Sequence, residues 1–418
     1  MWIVKFFFLE RTFWILSLDD DRQLSDMAED ISPTLYGHVT IACLLEFLLS
    51  NCLYKSHTEA FQASMALQLQ MGSYESAELV PGLPEEIGLD CLTRVPYTAH
   101  GNASRVCRRW NELLQSKEFY HHRKKSGHTH KVACLVQALP GANESSTERK
   151  RGNPPSYGIT VFDPVGTGTW ERLDPVPKYP DGLPQFCQLA SCEGKLVVMG
   201  GWDPVSYNPV TDVFVYDFTT NQWRQGADMP AKRSFFATGA YEGRVCVAGG
   251  HDEYKNASRS AWVYDLRRDE WNELTQLSQE RDECEGTVIG DEFWVVSGYD
   301  TESQGVFEGS ADVYAFGLGG WRRVDGVWEP GQCPRSCVGV RRDGKLVSWA
   351  ESDSAVRVGT CGVMLGARTL VTGSACQGAP QGLYMVEMEK DEKNGKLARI
   401  SVPREFSGFV RSGCWVEI

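Results

Sequence analysis

From Gly194 to Gly326 the sequence runs through one pattern three times, and a repeat of this length constrains the fold more than any other feature of the chain. The copies open GKLVVMGGWD, GRVCVAGGHD and DEFWVVSGYD, and continue to DVFVYDFTTNQW, SAWVYDLRRDEW and ADVYAFGLGGW. Three markers keep step at intervals of 48 to 50 residues: Gly201, Gly250 and Gly298; Tyr216, Tyr264 and Tyr314; Trp223, Trp271 and Trp321. Apolar runs such as KLVVMG and DVFVYD read as strands. The glycines end the second strand, where the backbone must turn tightly or pack against another main chain. The tryptophan falls on a fourth strand, where a large ring fills the gap between neighbouring sheets. One four-stranded sheet per repeat, set radially, predicts an all-β propeller. These Gly, Tyr and Trp residues are packing positions, and no chemistry is assigned to them.

Weaker copies flank the three. VACLVQALP, YGITVFDP and Trp170 outline an earlier sheet, with NESSTERKRGNPPS as a polar insertion expected to be disordered. KLVSWA starts a fifth unit that lacks its Tyr/Trp half, and a last unit runs from GVMLGARTLVTG through GLYMVEME and KLARISVP to FVRSGCWVEI. Six blades are expected, one of them incomplete, with five the alternative if the short unit merges with its neighbour.

In antiparallel strands a, b, c and d, the b–c loop and the d–a crossover to the next blade leave by the same end. That face gathers the loops 202–211, 251–260 and 299–310 with the crossovers 231–235, 280–283 and 334–336. Arg233, Arg281 and Arg335 recur there, beside Trp202, Ser234, His251, Tyr254 and Tyr299. Arginine and aromatic side chains on loops of a rigid scaffold make these eight the candidate partner-binding set. The competing role for each arginine is to pair with a carboxylate and tie the blades together.

Ahead of the repeats, residues 79–123 carry apolar positions at helical spacing. Pro84 suits a first helical turn, Glu85 and Glu86 suit the positive helix start, and Pro96 ends the first helix. Val106, Cys107, Trp110, Leu113 and Leu114 mark a second helix. The more polar stretch Tyr97–Ala103 leaves a middle helix open. So small a unit needs a partner or neighbour to bury its apolar side. Further upstream, MWIVKFFFLERTFWILSL and the stretch from Val39 to Tyr54 suggest amphipathic helices. Charged residues interrupt both, and neither approaches the roughly 20 apolar residues that span a bilayer. Residues 1–70 are expected to be a poorly ordered or non-native extension, with Met71 a natural initiator.

A formal charge of -13 argues against a general nucleic-acid or anionic-membrane binder. The 14 cysteines include no C-x-x-C pair and sit largely in apolar runs, as reduced structural thiols of a cytoplasmic or nuclear protein do. With eight histidines in no metal-ligand spacing, and His128 and His130 assigned to a solvated linker, no catalytic residue, metal or cofactor is expected.

The order Leu-Pro-x-x-Ile, Leu-x-x-Val-Pro, Val-Cys-x-x-Trp, Leu-Leu, Phe resembles the F-box, and the repeats resemble kelch repeats. Together with ELVPGLPEEIG, GLPQFCQLAS, MPAKRSFFA, QERDEC and SGCWVEI, they make residues 71–418 similar to plant F-box/kelch-repeat proteins of the KISS ME DEADLY group. The resemblance implies an F-box over 71–130 and a propeller over 131–418. It implies a non-enzymatic adaptor that docks a Skp-family linker subunit, and through it a cullin. Leu83, Pro84, Ile87, Leu92, Val95, Val106, Cys107 and Trp110 would contact that subunit or hold the helices against it. The target, phenylalanine ammonia-lyase or a type-B response regulator, would then be polyubiquitinated and degraded. The alternatives are a kelch scaffold that binds without degradation and, less well matched, a metal-dependent kelch enzyme.

Overall fold

The computed structural model describes residues 4–9, 12–17, 78–140, 155–165, 168–341, 343–387 and 397–418. The chain divides into two compact units, residues 1–95 and 96–418. In the first, β1 (Val4–Leu9) pairs antiparallel with β2 (Thr12–Ser17), Val4 opposite Ser17. This corrects the helical expectation for the start of the chain: runs as rich in aromatic and β-branched residues as KFFFL and TFWIL favour strands. Val39–Tyr54, Met71 and the polar insertion up to Pro154 lie outside the described residues.

Helix α1 (Glu85–Thr93) follows Pro84, whose φ of -52° already suits a helix start, and carries Glu85 and Glu86 in its first turn. The Glu85 carboxylate accepts from the Leu79 backbone N–H at 3.1 Å. Gly88 is buried against this segment, where even a Cβ would make ordinary contact at 3.4 Å with Leu79 and Val80.

The second unit opens with α2 (Tyr97–Ala103), α3 (Arg108–Leu114) and α4 (Lys117–Lys125). The middle helix therefore forms: Tyr97, His100 and Ala103, three apart, give a narrow buried stripe despite the polar sequence. Side chains cap the other two. Cys107 Sγ accepts from the Trp110 N–H, and Ser116 Oγ from the Phe119 N–H at 3.1 Å.

The propeller begins with β3 (Lys131–Ala138), β4 (Tyr157–Asp163) and β5 (Thr169–Arg172). A second sheet holds β6 (Gln188–Cys192), β7 (Lys195–Met199), β8 (Val213–Asp217) and β9 (Gln222–Gln225). The third comprises β10 (Ala237–Tyr241), β11 (Arg244–Ala248), β12 (Ala261–Asp265) and β13 (Glu270–Leu274). The fourth comprises β14 (Glu285–Ile289), β15 (Glu292–Val296), β16 (Ala311–Ala315) and β17 (Gly320–Val324). A fifth has only β18 (Val338–Val340) and β19 (Leu346–Ser348). The sixth is β20 (Val358–Leu365), β21 (Arg368–Ser374), β22 (Gly382–Glu387) and β23 (Leu397–Arg399). Six sheets thus appear, and the fifth is short where the sequence lacks its Tyr/Trp half.

The last strand, β24 (Val410–Glu417), does not continue the sixth sheet as the repeat pattern suggested. It pairs antiparallel with β3, Glu417 opposite Lys131 and Cys414 opposite Cys134, and becomes the innermost strand of the first sheet. Inner strands β24, β6, β10, β14, β18 and β20 neighbour one another in turn, so the ring is closed. His130 belongs to this closure: its backbone exchanges two 3.0 Å hydrogen bonds with Ile418, and its ring lies 3.0 Å from Asp163, so it is no solvated linker.

The repeat markers act as packing predicts. Trp223, Trp271 and Trp321 stand 4.9–5.1 Å from Tyr216, Tyr264 and Tyr314, centroid to centroid. Each indole N–H donates to a carbonyl of the preceding crossover: Asp174, Ala227 and Thr275. Gly201, Gly250 and Gly298 have φ between 77° and 89°, and a Cβ on any of them would come within 2.6 Å of a neighbouring main chain. Only glycine fits both conditions.

Candidate partner-binding surfaces

The strand order places the b–c loops and d–a crossovers at one end of the propeller. The a–b and c–d turns lie at the other, and helices α2–α4 rest there. Gly194, in the turn between β6 and β7, lies against the Tyr120 ring: a Cβ there would stand 3.1 Å from it. Lys124 pairs with Glu417 at 2.8 Å, and Tyr97 packs edge-on to Phe218. A cleft of about 430 Å³ lies between helices and turns, and its charged walls are largely self-paired, Arg267 with Glu193 and Lys195 with Asp217.

On the loop face, five of the eight candidate residues are enclosed. Arg281 is fully buried: its Nε meets Asp312 Oδ2 at 2.8 Å, and its other nitrogens donate to Ser297 O, Ser310 O and Ser310 Oγ. Arg233 is buried too, donating to Gly249 O, Ser260 O and Ser260 Oγ, and burial holds its guanidinium down to about 10. Each arginine fastens its crossover to the b–c loop of the blade it leads into. Neither can meet a partner, which corrects their assignment to binding and decides for the structural alternative. Ser234, exchanging backbone hydrogen bonds with His251, and Tyr299 are likewise buried. His251 presents Nδ1 at 2.9 Å to both carboxylate oxygens of Asp282.

Three candidates reach solvent. Tyr254 is 77% exposed, Trp202 is half-buried, and Arg335 lies 4.6 Å over the Phe235 ring with Glu283 3.1 Å away. Sequence reasoning missed the residues around them. Val205, Tyr207 and Val306, at the tips of b–c loops, are exposed, as are Val358 and Phe409 beside the inner strands. Phe186 and Phe235 precede inner strands with left-handed φ of 62° and 57°, which turns their rings together at 4.5 Å. The recurring position just before an inner strand was the available signal for these two.

The helical candidates divide similarly. In the first unit Leu83, Leu92 and Val95 are buried, whereas Pro84 is exposed and Ile87 is 50% exposed. In the second, Trp110 is buried at 4% exposure, Val106 is half-buried, and Cys107 with Arg108 and Arg109 faces solvent. Trp110 is thus enclosed within the second unit, the placement of a packing residue rather than of an exposed contact.

Among the described residues, no group of three or more His, Cys, Asp or Glu side chains is placed to hold a metal. Burial pushes thiols such as Cys187 and Cys284 up to about 12, which keeps them protonated and weakly nucleophilic. No helix among the described residues is long and apolar enough to cross a membrane.

Comparison with known proteins agrees with both modules. The F-box domain model matches residues 80–122, and the kelch motif model matches 186–230 and 232–278. An F-box/kelch-repeat protein of Arabidopsis thaliana is 34% identical over 391 residues, covering 79% of this chain and 93% of its own length. A second from the same plant is 35% identical, covering 82% of this chain and 100% of its own. The F-box/kelch-repeat protein SKIP20 is 36% identical over 62% of this chain and 69% of its own. With similarity over 79% and 82% of its length and both module models matched, the chain belongs to the F-box/kelch-repeat proteins.

Proposed function

We propose that the chain is the substrate-recognition adaptor of an SCF-type ubiquitin ligase. The F-box docks a Skp-family linker subunit, and the loop face of the propeller captures the protein to be polyubiquitinated. The observation that carries this reading is how exposed apolar side chains are distributed over the propeller. Val205, Tyr207, Tyr254, Val306, Val358 and Phe409 share the loop face, whereas Val165 and Leu318 lie on the face that carries α2–α4. Exposed apolar side chains gathered at one end of the ring offer contact area to a partner protein, and a rigid ring presents them without an ordering cost. Catalysis would be by proximity, the adaptor raising the local concentration of its target near a ubiquitin-loaded enzyme.

The resemblance to the KISS ME DEADLY group supports phenylalanine ammonia-lyase and type-B response regulators as first targets to try. The deciding experiment is reconstitution with the Skp-family subunit, a cullin module and each candidate. Target-dependent ubiquitin chains that vanish when residues 71–130 are deleted support the adaptor. A chain that captures a target yet never recruits the Skp-family subunit would be a scaffold instead.

A further inference from the structure

We propose that Arg411, at the mouth of the loop face, receives an acidic side chain of the captured protein. The inference rests on the adaptor reading and deepens it, because it names the chemistry that the face reads.

Three independent observations converge on this residue. Arg411 is the second residue of β24, and the β24–β3 register slips there: Val410 opposes Gln137 and Ser412 opposes Val136, leaving Arg411 as the extra residue of a bulge. A bulge takes one side chain out of the ladder and re-aims it. Secondly, the guanidinium is held between two rings, 4.6 Å from the Tyr157 centroid and 4.2 Å from that of Phe186. Phe186 reaches it from a left-handed backbone with φ of 62°, a conformation that bulky residues adopt only where the surroundings hold them in it. Thirdly, among the described residues Arg411 has no carboxylate partner, and its enclosed Nη1 meets no hydrogen-bond acceptor.

Arg335 supplies an internal comparison. It too stacks on a ring, Phe235, which itself packs against Phe186. Its charge is matched by Glu283 of the preceding crossover. Two guanidiniums thus flank one aromatic stack, one with a carboxylate and one without. A guanidinium stacked on its faces keeps its in-plane N–H groups that reach solvent for an acceptor. A lone cation suits a monoanionic carboxylate better than a phosphate dianion, which generally calls for several arginines. Exposed Phe409, two residues away, offers an apolar neighbour, so the preferred segment pairs an Asp or Glu with a large apolar residue.

The test uses the full chain bound to its Skp-family subunit, immobilised through that subunit, and a displayed library of random dodecapeptides. Wild type should enrich sequences with Asp or Glu beside an aromatic or aliphatic residue. A synthetic peptide of that consensus should bind Arg411→Gln about tenfold to a hundredfold more weakly, with Arg411→Lys between the two. Library selection on Arg411→Gln should lose the acid but keep the apolar preference, a change of specificity that general loosening would not produce. Thermal melts check that the variants fold. Should no acidic consensus emerge, or should Arg411→Gln bind the acidic peptide as tightly as wild type, the assignment is overturned. Immobilisation through the Skp-family subunit reports separately on the adaptor reading, which fails if the chain is not captured at all.

Discussion

Arg281 and Asp312 meet inside the fourth blade at 2.8 Å, and neither side chain reaches solvent. In the third blade Trp262 takes the position of Asp312, so Arg233 meets only carbonyl and hydroxyl oxygens. One repeat position has two electrostatic solutions, and the paired one should be the more costly to break. Arg281→Ala leaves a carboxylate buried without its cation, at a cost of about 3–5 kcal/mol. Urea denaturation followed by tryptophan fluorescence measures the loss. An unchanged midpoint would mean that the pair contributes nothing.

On the adaptor reading, Ile87, half exposed, and Trp110, enclosed, should separate docking from folding. Ile87→Glu should abolish capture by the Skp-family subunit while stability changes by no more than about 0.5 kcal/mol. Trp110→Ala should cost about 3–5 kcal/mol through the cavity it opens. Any loss of capture should then track the loss of helical signal in circular dichroism. Pull-downs and melts of both variants decide the matter.

Tyr207→Ala combined with Tyr254→Ala removes two exposed rings from neighbouring loops of the loop face. Target capture should weaken by at least about tenfold, while binding of the Skp-family subunit is unaffected. Surface plasmon resonance with each partner in turn reads the two effects apart.

Glu285, the first residue of inner strand β14, accepts the Ser336 backbone N–H at 2.5 Å, and burial pushes its carboxyl up to about 7. An acid whose folded pKa lies above its unfolded value holds its proton more tightly in the native state. Its contribution is therefore complete below about 4.5 and is lost as the pH rises through 7. Glu285→Gln should remove this component, giving a flatter stability profile between about pH 5 and 8 than wild type. Denaturant midpoints across that range test the sign.

Whatever recurs locally was legible in the sequence. The Gly, Tyr and Trp markers fixed four-stranded sheets, and KLVSWA without its second half announced the shortened fifth blade. Long-range pairing was not legible. β24 joins β3 across nearly the whole propeller, and no periodicity near SGCWVEI distinguishes that partner from the sixth sheet. The arginines misled for a different reason. Composition places Arg233 and Arg281 on the correct face, but only coordinates tell a guanidinium turned inward from one turned out. Arg411 escaped notice because a bulge is a mismatch between two strands, and one strand's residues carry no trace of it. The helical module showed the same limit, since spacing marks Ile87 and Trp110 alike as apolar while one is half exposed and the other enclosed.

The clasp between β24 and β3 also sets an order of events during synthesis. Every other sheet-forming segment leaves the ribosome before Val410 does, so the first blade waits, lacking its innermost strand, until the ring's final segment appears. A product cut short between the helices and Val410 would carry the F-box but no closed ring, and Arg411 would be missing from its mouth. Such a fragment would keep the inner edge of β3 unpaired, an open strand edge of the kind that invites association with other chains.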